Sequence, residues 1–189
     1  FQLESRVAQS TSRSLKTNTF EDIVALVALI RPGPLGAGMH NEFTDRATGR
    51  KDIEYLHKDL EEILSETYGV ILYQEQVMQI AQKISGFELE EADELRKAMG
   101  KKIPKVMEKQ REKFTIGATK NGYSEQFAIE LFDQIAYFAG YGFNKSHSVP
   151  YALLAYQTAY LKANYPAEYI AACLTAVKRD KDRTAIFLS

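Results

Sequence analysis

The chain has 189 residues, 45% of them hydrophobic and 26% charged, and a net charge of −1. This composition excludes an intrinsically disordered chain, and the length suits one sizeable domain or two small ones. No apolar run approaches the ~18 residues of a membrane-spanning helix, so we expect no membrane association. The single cysteine, Cys173, excludes an internal disulfide and favours a reducing, cytoplasmic location. Because its neighbours are apolar, we expect Cys173 to be a buried thiol rather than a nucleophile.

The first predicted helix boundary is marked by capping residues. Thr19 is followed three residues later by Asp22, a pattern that favours a capped helix start before the apolar residues 23–30. The sequence RPGP at residues 31–34 ends that helix, because prolines cannot continue it. Residues 31–56 contain four glycines, and we expect an irregular loop there.

Apolar spacing predicts that most of the remaining chain is helical. The predicted helices span residues 57–67, 74–84, 88–99, 104–119, 124–139, 148–164 and 167–178. Gly100 is the expected C-cap of the helix over 88–99, and the helix over 148–164 is expected to begin at Ser148-Val149-Pro150. The predicted fold class is all-α: an irregular multi-helix domain with long loops and little or no sheet.

A basic segment is hidden by the neutral average charge. Residues 96–120 hold nine Lys or Arg against two Asp or Glu, a local net charge of +7. Such a segment is typical of phosphate binding, with arginine as a bidentate partner and lysines as point charges. A solvated helix face is the alternative interpretation. The cations of this segment that we regard as candidate phosphate ligands are Arg96, Lys97, Lys101, Lys102, Lys105 and Lys109.

The most unusual composition lies in the sequence FAGYGFNKSHS at residues 138–148. Glycines allow the backbone to approach a ligand, aromatic rings can stack, and Lys145 and His147 can meet negative charge. This mixture favours a site for a planar, anionic ligand. The sequence gives little support for a metal site, because the three histidines are far apart. It gives as little for a serine–histidine nucleophile, because no acid lies nearby.

Several long motifs, in one order along the chain, resemble a known family. They are FQLES at 1–5, RPGP at 31–34, YGVILYQEQVM at 68–78, ADELRKAMGKK at 92–102, FAGYGFNKSHS at 138–148 and YQTAYLKANYPAE at 156–168. The chain resembles, over residues 1–177, the fingers region of bacterial C-family replicative DNA polymerases, the DNA polymerase III alpha subunits. The opening at Phe1, without methionine, is also typical of the middle of a domain, so we expect a piece of a longer protein.

The resemblance implies an enzyme of DNA-templated nucleotidyl transfer. In that family, palm aspartates upstream of the segment matching Phe1 hold two magnesium ions. We therefore expect no catalytic residue, metal ligand or bound cofactor in this chain, and no polymerase activity from it alone. The implied role is to bind the incoming deoxynucleoside triphosphate and primer-template DNA. Other replisome subunits are the further partners implied for the longer protein.

The resemblance also assigns roles and boundaries. Arg96 and Lys97 resemble the basic pair that faces the triphosphate, and Tyr141, Lys145 and His147 match the loop that lines the nucleotide site. Lys101 and Lys102 are grouped with them as phosphate ligands, while Arg31, Lys105 and Lys109 are expected to contact DNA or the loop. Residues 1–18 are a poorly matched segment leading from the palm, 19–177 the helical fingers domain, and 178–189 a C-terminal extension.

Three departures from the family pattern accompany these assignments. Residues 7–12 replace the usual Gly-Met and leucine-rich helix with serine and threonine, Lys97 stands where arginine is common, and Pro150 replaces a small residue. Two other classes of protein also remain open. One is a helical module that binds DNA or protein without a nucleotide site, and the other is a purely structural helical domain whose loop only packs.

Overall fold

The computed structural model describes residues 1–101, 104–139 and 141–188, and leaves out the side chains of residues 101, 139 and 188. The predicted phosphate ligand Lys102 and the side chain of Lys101 therefore lie outside the described residues, as does Gly140.

The described residues form α-helices joined by short links, which confirms the predicted all-α class. The helices are α1 (Arg6–Leu15), α2 (Phe20–Leu29), α3 (Pro32–Gly36), α4 (Met39–Ala47), α5 (Glu61–Leu64), α6 (Gln74–Ser85), α7 (Leu89–Lys101), α8 (Pro104–Lys120), α9 (Glu125–Ala139), α10 (Lys145–Asn164), α11 (Pro166–Val177) and α12 (Lys181–Leu188). Single 3-10 turns, Lys58–Leu60 and Ser65–Thr67, flank α5. Across these ranges the structure has no sheet, and its one β-bridge pairs Tyr73 with Phe143 in parallel. No helix in these ranges has the length and apolar character needed to cross a bilayer.

Two clusters of buried side chains form the core. One cluster is formed by the five helices from α5 through α9, and Ile80, Leu95 and Ile135 are fully buried in it. The other joins α2, α4 and the start of α10 around Leu26 and the link over residues 70–73. This link therefore lies between the two clusters, and its buried residues contribute to both.

The predicted capping residues do begin α2. The Thr19 hydroxyl accepts the Asp22 amide at 3.1 Å, and an Asp22 carboxylate oxygen accepts the Thr19 amide at 3.1 Å. These reciprocal bonds satisfy amides that a helix start leaves free.

The predicted loop over residues 31–56 is wrong, because it contains α3 and α4. Pro32 occupies the first position of α3, where a proline needs no amide hydrogen and its fixed φ suits a helix. The same proline that ends α2 thus begins the next helix.

Two further predicted helix ends are also wrong. Gly100 does not cap α7 but lies within it. The helix expected to begin at Ser148-Val149-Pro150 begins at Lys145, with Pro150 inside it. Asn144 is the N-cap, and its side-chain oxygen accepts the His147 amide at 2.9 Å. An Asn three residues before that amide satisfies the free donor, and this outweighs the proline signal.

Small residues bring α10 close to α2. Ser148, Ala152 and Ala155 are the buried residues of α10, and their spacing places them on one helix face. The Ser148 hydroxyl donates to the carbonyl oxygen of Val24 at 2.6 Å, with Ser148 fully buried. The serine thereby satisfies its hydroxyl by a direct contact with the neighbouring backbone.

The end of the chain is far less buried than its helical pattern suggests. No residue of α11 is buried. Cys173, on α11, is only partly buried, so the predicted buried thiol is wrong. Of the apolar neighbours of Cys173 in sequence, Ala171 and Ala172 are exposed and Leu174 is only partly buried, so the apolar composition of this segment did not indicate burial.

The crossing of α6 and α8 depends on the absence of a side chain at Gly117. A Cβ atom at Gly117 would lie 2.2 Å from the carbonyl oxygen of Ser85. The Ser85 hydroxyl also donates to the carbonyl oxygen of Phe114 at 2.9 Å, one helical turn before Gly117. The two backbones are therefore in direct contact at this point.

We predict that Gly117→Ala lowers the free energy of unfolding by roughly 1–3 kcal/mol, because the added methyl group forces α8 away from α6. Urea unfolding followed by circular dichroism measures the loss. Gly36→Ala is the matched control: a Cβ atom there has no neighbour within 4 Å, so its stability should stay equal or rise slightly. Equal unfolding midpoints for the two variants would contradict the prediction.

Candidate functional site

The loop over residues 141–144 is attached to the start of α6 by backbone hydrogen bonds. The Phe143 amide donates to the carbonyl oxygen of Leu72 at 3.1 Å, and the Gln74 amide donates to that of Phe143 at 2.9 Å. Gln74 is the first residue of α6, so its amide has no partner within the helix. Pairing with the loop satisfies this amide and fixes the loop at that helix end.

The buried amide of Gln76 holds the link to which the loop pairs. Gln76 is 1% exposed, and its Oε1 accepts the amides of Leu72 and Tyr73, each at 2.9 Å. Its Nε2 donates to the Thr67 hydroxyl at 2.8 Å and to the carbonyl oxygen of Ile63 at 3.3 Å. All hydrogen-bonding positions of this side chain are thus used, its oxygen to fix residues 72 and 73 and its nitrogen to anchor the amide to Thr67 and Ile63.

Arg31 fastens the other side of the loop. Its Nη2 donates to the carbonyl oxygen of Tyr141 at 2.6 Å and its Nε to that of Ala28 at 2.8 Å. The guanidinium lies 4.4 Å from the centre of the Phe143 ring. Burial lowers the pKa of Arg31 from its ordinary value. Arg31 therefore contacts the loop in this structure and is largely occupied by it.

The Tyr141 ring packs against a glycine of the RPGP motif. A Cβ atom at Gly33 would lie 2.6 Å from Cδ1 of Tyr141, so the ring occupies the space that a side chain would need. Glycine at this position allows the loop to approach α3 closely.

Lys145 lies between two carboxylates. Its backbone amide donates to both oxygens of Glu75, each at 3.0 Å, at the positive end of α10. Its Nζ pairs with Glu66 and lies 5.4 Å from the centre of the Tyr73 ring. Burial raises the pKa of Tyr73 above its ordinary value, so Tyr73 stays a neutral phenol at this place.

His147 is exposed on the first turn of α10. Its ring centre lies 5.6 Å from that of Phe143 and 4.6 Å from that of Tyr151. The first turn of α10 therefore carries an imidazole beside two aromatic rings, with the amine of Lys145 on the same turn.

Arg96 and Lys97 share one carboxylate on α7. Asp93 Oδ1 accepts from Arg96 Nε at 2.8 Å and Nη2 at 2.7 Å, and its Oδ2 pairs with Lys97 Nζ at 2.7 Å. The Lys97 and Arg96 side chains together lower the pKa of Asp93 from its ordinary value. The carboxylate thus stays ionised and holds both cations near each other.

The side chain of Gln74 connects this basic pair to the loop. Its Oε1 accepts from Arg96 Nη1 at 3.2 Å, and its Nε2 donates to the carbonyl oxygen of Gly142 at 3.4 Å. The predicted residues Arg96, Lys97, Tyr141, Lys145 and His147 are therefore brought to one region at the start of α6.

Among the described side chains, the predicted cations Lys105 and Lys109 form no hydrogen bond or ion pair with this region. Lys105 and Lys109 are exposed on α8, and neither forms an ion pair with a described side chain. Their α8 neighbours Arg111 and Lys113 instead pair with Asp133 and Glu91. Within the described ranges, no group of three or more His, Cys, Asp or Glu side chains is placed to hold a metal ion.

The acceptors of this region were not predicted as site residues. Asp93 could have been found from its spacing, because residues three and four apart share a helix face and Asp93 precedes Arg96 and Lys97 at those distances. Glu66 and Gln74 carry no such signal, because their partners are distant in the chain. Glu66 lies 79 residues from Lys145, and Gln74 lies 22 residues from Arg96 and 68 from Gly142.

Comparison with known proteins identifies the family. Residues 1–122, more than half of the chain, match the model of the bacterial DNA polymerase III alpha subunit finger domain. The chain belongs to this family. The match confirms the resemblance read from the sequence motifs.

Full-length relatives extend the similarity beyond that finger-domain match. The chain is 55% identical to DNA polymerase III subunit alpha of Escherichia coli (strain K12) and 56% to that of Vibrio cholerae, over 97% of this chain in both cases. It is 50% identical to that of Mycobacterium tuberculosis (strain H37Rv) over 100% of this chain. The chain spans 16% of the length of each of these relatives.

We predict that Arg31→Lys lowers the free energy of unfolding by roughly 1.5–3 kcal/mol, because lysine cannot donate to both carbonyl oxygens and stack on Phe143. Hydrogen exchange should also become faster at the Phe143 amide. Arg50→Lys is the matched control, since Arg50 is 48% exposed and pairs with Asp45 at the surface. A loss of stability that is equal in the two variants would contradict the role assigned to Arg31.

Proposed function

We propose that this finger-domain chain binds the incoming deoxynucleoside triphosphate for DNA-templated nucleotidyl transfer. The observation that carries the proposal is the convergence of two basic elements on consecutive residues. Gln74 accepts from Arg96, and Glu75 accepts the amide of Lys145. A guanidinium, two lysine amines and an imidazole thereby lie around the first turn of α6.

These groups suit a triphosphate. Charge-assisted hydrogen bonds from arginine and lysine to phosphate oxygens are among the strong polar contacts in proteins. Arg96, Lys97 and Lys145 each now pair with a carboxylate, and these pairs are partly exposed to solvent. Exposed ion pairs are weak, so phosphate oxygens can replace Asp93 and Glu66 as the acceptors.

The aromatic side of the site suits a nucleobase. The exposed His147 ring lies beside the rings of Phe143 and Tyr151, and every base has a face that can stack on such an aromatic ring. A polymerase must accept each of four bases at this position. Stacking meets that requirement, because it binds without reading the hydrogen-bonding edges.

Chemistry at the phosphate is assigned to residues outside this chain. The described residues do not fit a two-metal centre, because they contain no suitable group of carboxylates. Magnesium and its aspartate ligands are therefore proposed for the remainder of a longer polymerase. This chain's own part is to position the triphosphate and hold the base, and by itself it should not extend a primer.

We predict that Arg96→Ala and His147→Ala each weaken binding of deoxyadenosine triphosphate. Loss of one charge-assisted hydrogen bond corresponds to roughly 1.5–3 kcal/mol, or about 10- to 100-fold in affinity for Arg96. Amide shifts over residues 96–101 and 141–147 during an NMR titration measure the affinity.

The control for Arg96 is Arg111→Ala, which removes another surface arginine paired with an aspartate. It should leave the nucleotide affinity unchanged. Absence of any shift in these segments at millimolar nucleotide would overturn the proposed site. An equal loss in the Arg111 variant would instead indicate nonspecific attraction by charge.

The exposed lysines of α8 favour a second, compatible role in binding primer-template DNA. Lys105 and Lys109 lie four residues apart on one helix face and form no ion pair with the described side chains. A helical module that binds DNA without a nucleotide site would use the same lysines, and the nucleotide titration distinguishes the two functions.

We predict that the double variant Lys105→Ala, Lys109→Ala binds a primer-template duplex more weakly. Each lost phosphate contact should also reduce the slope of log affinity against log salt concentration by about one. Fluorescence anisotropy at several salt concentrations measures both quantities. Lys58→Ala removes an exposed lysine that lies outside the basic segment of residues 96–120 and should change neither quantity. An unchanged slope in the double variant would place DNA elsewhere.

A further inference from the structure

The geometry points to Gln74 as a positioning residue that couples Arg96 to the loop over residues 141–144. This inference rests on the proposed nucleotide site and deepens it by naming the link between its two halves. Gln74 touches both halves at once: Arg96 through Oε1 and Gly142 through Nε2.

The two contacts require a side chain that both accepts and donates, and the Gln74 amide does so through two separate atoms. A guanidinium has only donors, and a carbonyl oxygen has only lone pairs, so the partners require an acceptor on one side and a donor on the other. These partners also fix the orientation of the amide, with its oxygen toward Arg96 and its nitrogen toward Gly142. Glutamate would keep the first contact and lose the second, and leucine would lose both.

The coupling is separable from the folding of this region. The loop is held independently by the backbone bonds between Phe143 and residues 72 and 74, and by the buried Gln76. Gln74 itself is partly exposed. Replacing its side chain therefore removes the link to Arg96 while the backbone pairing remains.

The contacts of Gln74 with Arg96 and Gly142 have a direct consequence for phosphate binding. Arg96 directs Nε and Nη2 toward Asp93 and Nη1 toward Gln74. When a phosphate replaces Asp93, the Gln74 contact still holds the guanidinium at the loop. Lys145 and His147 then reach the same ligand as Arg96, so the contributions of Arg96 and His147 to nucleotide affinity depend on each other.

The first test uses the chain without nucleotide. Arg96→Ala should shift the NMR signals of the Gly142 and Phe143 amides in the wild-type background, and this shift should be lost in the Gln74→Leu background. In a Gln79→Leu background the shift should persist, because Gln79 is an exposed glutamine of the same helix and has no hydrogen bond to a described residue. The same shift in all three backgrounds would overturn the coupling.

The second test is a double-mutant cycle on affinity for deoxyadenosine triphosphate. Arg96→Ala and His147→Ala should deviate from multiplicative effects by about threefold or more in the wild type, a coupling typical of groups that share a partner. In the Gln74→Leu background their effects should multiply. Non-multiplicative effects that persist without Gln74 would overturn the inference.

A conservative variant separates positioning from stability. Gln74→Glu keeps an acceptor for Arg96 but not the donor to Gly142, so it should also abolish the Arg96-dependent shift at Gly142. Its unfolding midpoint should stay near that of the wild type, and a retained shift would contradict the coupling. If the wild type binds no nucleotide, the proposed function fails, while the shift experiment still decides the role of Gln74.

Discussion

The hydrogen bonds of one buried amide determine where the candidate site can form. Gln76 satisfies two backbone amides of an extended link that runs through the core, where an unpaired amide would be strongly unfavourable. The link stays extended because of these bonds, and its outer backbone groups are free to pair with Phe143. The loop, the first turn of α10 and the contact to Arg96 all follow from that pairing. A buried side chain outside the site thus decides the geometry of the exposed ones.

Local signals predicted α2 and α6 to α11, but they missed α3 and α4 and did not give helix ends near proline. The pair Thr19 and Asp22 gave the start of α2, since a capping box is formed within four residues. Pro32 and Pro150 misled because proline tolerates both the start of a helix and, with distortion, its interior, and the choice depends on neighbours such as Asn144. Exposure of α11 was equally invisible, because burial depends on what packs against a helix and its pattern does not report this.

The candidate site likewise contains residues that the sequence predicted and residues that only the structure shows. The cations were visible as composition and as family motifs, whereas the acceptors that hold them come from distant parts of the chain. Glu66 meets Lys145, and Gln74 meets both Arg96 and Gly142, through contacts that only tertiary structure creates. Pairing each cation with a carboxylate keeps this surface close to neutral. A basic site of this kind resists unspecific attraction to other anions, because an incoming anion must displace an acceptor already in place.

The contact of α10 with α2 gives the site a mechanical property. The residues that α10 buries, Ser148, Ala152 and Ala155, are all small, so the two helices approach closely. Helices in such close contact move relative to each other by small sliding displacements rather than by rotation about a hinge. The first turn of α10 carries Lys145 and His147, so sliding of α10 along α2 would move both groups together. The two side chains would approach a ligand as one unit, while the bond from the Ser148 hydroxyl to Val24 holds them in the position described here.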